Sequence, residues 1–86
     1  MKITNYTDFR NNHRLYSHDV AINMNAHGYD MLNHWDLDAG EKSLDAVRSY
    51  IKQVYGDDDS TYVYHRTVTT GWRLPYIFLY LKRETA

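Results

Sequence analysis

The sequence predicts an α+β domain in the order ββαββ, a small antiparallel sheet of two hairpins with one helix between them, packed on one sheet face. Three observations lead there. Residues 43–55, SLDAVRSYIKQVY, place Leu44, Val47, Ile51 and Val54 at helical spacing. The segment NAHG, residues 25–28, offers a four-residue connection between two runs that alternate in polarity over 16–37. Residues 61–83 alternate on both sides of TTG, residues 69–71.

Taken in chain order, residues 1–15 are ambiguous: Ile3 to Tyr6 suits a short strand, and Thr7 suits a cap for a helical turn beginning at Asp8. In the first hairpin, residues 16–37, Gly28 takes positive φ and Met24 pairs with Tyr29. One face then holds Tyr16, His18, Val20, Ile22 and Met24 against Tyr29, Met31, Asn33, Trp35 and Leu37. The wet face holds Ser17, Asp19, Ala21 and Asn23 against Asp30, Leu32, His34 and Asp36.

In the helix, residues 43–55, Ser43 is the expected N-cap, Asp45 sits in the first turn, and Gly56 is the expected left-handed C-cap. A capping box from Asp38 to Glu41 is an alternative start, weakened by Gly40. Asp57, Asp58 and Asp59 follow as a solvated connector or an acidic contact for a basic groove; their spacing does not match a calcium loop. In the second hairpin, residues 61–83, Gly71 turns the chain and pairs Val68 with Trp72, and Pro75 belongs at an edge or a bulge.

That register sorts the stretch 62–80, which holds six of the thirteen aromatic residues. Tyr62, Tyr64, Arg66, Trp72, Tyr76, Phe78 and Tyr80 share one face; Val63, Ile77, Leu79 and Leu81 share the other. The aliphatic set answers the helix, and the aromatic set is left uncovered. Three readings stay open for the rings: packing, with Tyr6 and Phe9 of the N-terminal segment folded over them; a partner or homodimer face; or a base-stacking platform.

The 86 residues suffice for one domain, 1–86, with a thin core. Without cysteine there is neither a disulfide framework nor a thiolate metal site. The polar start and the lack of a long apolar run predict a soluble cytoplasmic protein without membrane contact. Net charge is −1, but residues 30–59 carry eight acidic and three basic side chains, and residues 60–86 four basic and one acidic. The near-neutral total argues against direct nucleic-acid binding through counterion release.

Candidate chemistry is sparse. Asp19, His34 and Asp36 on the wet face of the first hairpin have the donor types of a metal site, but a cross-strand charge pair explains the same residues without a metal, and none is expected. No nucleophile with a base and no phosphate-binding glycine loop is present, so neither catalytic residues nor a cofactor is expected.

Size, absence of cysteine, lack of catalytic residues, and a helix-plus-sheet body with aromatic and acidic surfaces resemble the small inhibitors of the anti-CRISPR type encoded by phages and mobile elements. The resemblance is one of type; it transfers no residue role. It implies a non-catalytic protein in the host-cell cytoplasm that docks on a larger nucleic-acid enzyme or CRISPR effector. The expected contacts are Tyr62, Tyr64, Arg66, Trp72, Tyr76 and Tyr80 as anchors, with Asp57, Asp58 and Asp59 competing for cations that grip DNA.

Overall fold

A computed structural model describes residues 1–15, 18–56, 58–68 and 74–84. Its elements run β1 (Lys2–Asn5), α1 (Tyr6–His13), α2 (Val20–Ala26), β2 (Tyr29–Asp36), α3 (Ser43–Val54), β3 (Thr61–Arg66) and β4 (Tyr76–Lys82). The strands form one mixed sheet in the order β1-β3-β4-β2, with β1 parallel to β3 and the other neighbours antiparallel. This corrects the ββαββ expectation: among the described residues there are three helices, not one, and the sheet is not two hairpins.

The first error lies at residues 20–26. VAINMNA alternates well enough for a strand, yet it also spaces Val20, Asn23 and Met24 on one helical face. Asp19 decides between them, because its carboxylate caps the helix by accepting from Ile22 N at 3.1 Å. Asn23 and Met24 are then buried, and Gly28 at φ +83° turns the chain into β2. Before them, the ambiguous N-terminus is a strand followed by a helix. Asn5, not Thr7, caps α1 by accepting from Thr7 N at 2.7 Å.

α3 forms where its apolar stripe predicts, with Asp45 in the first turn and Gly56 at φ +71° just past the end. Ser43 is not its cap. Lys42 holds that position without a side-chain bond, while Ser43 Oγ is buried and has no hydrogen-bond partner among the described residues. The Asp38–Glu41 contact does form, Asp38 N donating to Glu41 Oε2 at 3.1 Å, but it closes a turn ahead of the helix.

The second error is one of register. β3 and β4 are antiparallel as expected, but Tyr62 lies opposite Leu81 rather than Phe78. The offset is three residues, an odd number, so the faces of one strand exchange relative to the other. Tyr62 and Tyr64 join Ile77, Leu79 and Leu81 beneath α3, whose Ala46, Val47 and Ile51 complete that core. Val63 crosses to the opposite side with Tyr80 and Phe78. The turn proposed at TTG and the Val68–Trp72 pair lie outside the described residues. Pro75 is neither at an edge strand nor in a bulge; it stands just before central β4, where its missing N–H interrupts no ladder bond and its carbonyl accepts from Leu37 N at 2.9 Å.

The sheet is therefore covered on both faces. α3 lies on one, and Tyr6, Phe9 and Met24 of α1 and α2 pack with Tyr29, Val63 and Tyr80 on the other. β2 serves both cores through a bulge between Met31 and Asn33, which reverses the alternation. Tyr29 thus faces α1 and α2 while Trp35, six residues on, stacks on Tyr50 of α3 at 4.8 Å. Val54, expected in the helix's buried stripe, is exposed.

Candidate functional site

The helices α1 and α2 cover only part of their sheet face. Toward the start of β4 they leave a row of rings. Phe78 is the cross-strand partner of both His65 on β3 and His34 on β2, so register alone sets the three side chains side by side. Ring centroids lie 6.3 Å apart for His65–Phe78 and 5.7 Å for His34–Phe78, with interplanar angles of 27° and 31°. Two residues earlier on β4, Tyr76 sits 6.4 Å from both Phe78 and His34. Asp36 is the direct partner of Tyr76 across the β2–β4 ladder and is exposed beside it.

The electrostatics of this surface follow from its parts. Burial holds the His65 imidazolium in disfavour and lowers its pKa from the ordinary value. The row thus presents ring faces with negative quadrupoles, and Asp36 adds a full negative charge at its outer end. Leu74 and Val68, just outside the ends of β4 and β3, are exposed as well. A planar cation, above all a guanidinium, can stack on such rings while a carboxylate accepts its N–H groups.

Most of the residues named from sequence go elsewhere. Tyr62 is fully buried, and Tyr64 and Tyr80 are buried with it, which leaves them little surface to offer a partner. Their burial follows from the odd register offset for β3 and from the α1–α2 cover for Tyr80. Arg66 is exposed but lies opposite Ile77, on the α3 side, away from the ring row. Tyr76 alone of the described anchors is both exposed and on the row; Trp72 lies outside the described residues.

The acidic run is likewise divided. Asp59 is exposed, Asp57 lies outside the described residues, and Asp58 is committed internally. Asp58 accepts from Tyr62 Oη and, at 3.3 Å, from Ser60 N. Asp19, His34 and Asp36 do not converge, since Asp19 caps α2 while His34 and Asp36 lie along β2. Among the described residues, no group of three or more histidine, cysteine or carboxylate side chains is placed to hold a metal ion.

Sequence reasoning missed His34, His65 and Phe78 as one unit. The available signal was the alternation of His65 with Tyr62 and Tyr64, which puts that histidine on the opposite face of β3. No protein-family model matches the chain, and no curated protein or solved structure matches it either.

Proposed function

We propose that this chain is a non-catalytic docking protein that blocks the arginine-bearing surface of a larger nucleic-acid-handling partner, in the manner of an anti-CRISPR-type inhibitor. The carrying observation is the pairing of Tyr76 with Asp36 at the open end of the His65–Phe78–His34 row. Rings supply rigid contact area, and the carboxylate supplies charge complementarity for guanidinium groups that otherwise grip phosphates. The acidic excess of residues 30–59 supports the same partner chemistry, since Asp38, Glu41 and Asp45 are exposed after β2. Among the described residues no helix is long and apolar enough to cross a membrane.

The test is affinity capture from host lysate followed by mass spectrometry, with wild type and the double variant Tyr76→Ala, Asp36→Asn as parallel baits. The expected result is a nucleic-acid-handling protein retained by wild type, released as salt rises, and lost by the variant. Identical eluates from both baits overturn the reading.

The ring row itself favours one second reading, a small module that stacks single-stranded bases. Against it, Arg66 lies on the other sheet face, and Arg83 is already engaged by Asp30 and Asn25. A gel-shift with single-stranded oligonucleotides separates the two: tight, salt-sensitive binding of oligonucleotide without protein selects the module.

A further inference from the structure

Next to the ring row, and sharing His65 with it, a cleft of about 250 Å³ opens between α1, the start of α2 and β3, lined by Tyr6, Thr7, Arg10, His18, Val20 and His65. Among the described residues no carboxylate lines it. Each of its polar side chains carries a group able to donate a hydrogen bond: a guanidinium, two imidazoles, a hydroxyl and a phenol. We propose that this cleft is a binding site for a phosphate group, with Arg10 as its principal ligand.

The geometry of Arg10 carries the argument. Its Nε donates to Leu15 O at 3.4 Å, which fixes the guanidinium at the cleft wall. Its Nη2 meets His18 Nδ1 at 3.4 Å. A guanidinium only donates, so His18 Nδ1 takes the acceptor role in this contact. Arg10 makes no ion pair with a carboxylate among the described residues; the one such pair is Arg83 with Asp30. Asp19, the acidic residue beside His18 in sequence, directs Oδ1 to the first turn of α2, where Ile22 N donates to it, and Asp8, two residues before Arg10, is not part of the cleft's lining. A half-buried arginine whose partners are a carbonyl and an imidazole nitrogen retains most of its capacity for an oxyanion.

The cleft fits a single phosphate group, and that chemistry has two sources: free orthophosphate, or the phosphate of a nucleoside monophosphate. In the second case the base has the neighbouring His65–Phe78 rings as a stacking surface, since His65 belongs to both features. The assignment does not rest on the Tyr76–Asp36 pair that carries the docking reading, because neither residue lines this cleft.

The experiment follows backbone and imidazole NMR signals during titration with sodium phosphate, with chloride at matched ionic strength as the control. A parallel titration uses a nucleoside monophosphate. Saturable shifts centred on Arg10, His18 and His65, weakened about tenfold or more in Arg10→Gln, are the expected result, given what one charge-assisted ligand contributes. His18→Gln serves as a second variant, because His18 is exposed and its loss spares the core should Arg10→Gln fail to fold. Tighter binding of the nucleotide than of orthophosphate identifies the nucleotide as the source; equal binding identifies free phosphate. Shifts that match those in chloride, or that persist unchanged in the variants, overturn the site.

Discussion

Tyr62 Oη donates to both carboxylate oxygens of Asp58, at 2.9 and 3.2 Å, although Tyr62 itself has no exposed surface. The pair joins the start of β3 to the connector before it and removes Asp58 from the free acidic surface. Burial first, and the Asp58 carboxylate second, push the Tyr62 phenol up to about 12. The folded pKa lies above the unfolded one. The neutral phenol's stabilisation is therefore complete below about pH 10 and is lost as pH rises through about 12. Asp58→Asn should cost about 1 kcal/mol at neutral pH and bring phenolate absorbance in at lower pH. Denaturant unfolding and an alkaline spectrophotometric titration measure the two effects; an unchanged titration would remove Asp58 as a cause of the shift.

Ser43 gives a prediction of unusual sign. As an N-cap, its replacement by alanine would cost about 1 kcal/mol. Its Oγ is instead buried without a partner among the described residues, so the hydroxyl is a desolvated group that nothing repays. Ser43→Ala should be neutral or stabilising by up to about 1 kcal/mol in denaturant unfolding. A loss of stability would show that the hydroxyl caps α3 in solution.

Two covered faces predict two independent sets of core sites. Leu79 under α3 and Met24 under the α1–α2 layer are both wholly buried. Leu79→Ala and Met24→Ala should each cost about 2–5 kcal/mol. Met31, exposed on edge strand β2, should cost no more than about 0.5 kcal/mol when replaced by alanine. Ile22 is the discriminating position: exposed on α2, it should cost no more than about 0.5 kcal/mol when replaced by alanine. In a hairpin over residues 16–37 it would share the core face of Met24, and its loss would cost as much as that of Met24.

What was legible in the sequence was what short-range pattern controls. The stripe of Leu44, Val47 and Ile51 placed α3, and the alternation after Ser60 placed β3 and β4 as antiparallel neighbours. What was not legible depended on counts that alternation leaves open. A period of two fixes that Tyr62 and Tyr64 share a face but not which face of β4 they meet, and an offset of three residues sent them to the other core. The bulge between Met31 and Asn33 had the same effect on Trp35. Val20, Asn23 and Met24 fit both a strand and a helix, and Asp19 as a cap was the local cue that separated them. The candidate surface suffered most, because exposure is a tertiary property. Of the proposed aromatic anchors within the described residues, only Tyr76 stayed outside the core.

His65 ties stability to the chemistry of the ring row. Tyr6 meets its ring edge-on at 5.4 Å, Phe78 stacks with it at 6.3 Å, and Arg10 and His18 share its cleft. Burial lowers its pKa from the ordinary 6.5. The folded state therefore binds fewer protons here than the unfolded chain does. Its stability is whole above about pH 6.5 and falls as pH drops through the depressed folded value. His65→Gln should flatten the acid limb of the melting temperature against pH, compared with wild type from about pH 7 to 5. The other four histidines are common to both proteins, so their contributions cancel in the difference. Equal slopes would mean that the His65 ring is hydrated in solution, and a hydrated imidazole would protonate readily and repel a guanidinium. A flattened limb would show His65 neutral at physiological pH, the state in which its ring and that of Phe78 can together receive an arginine.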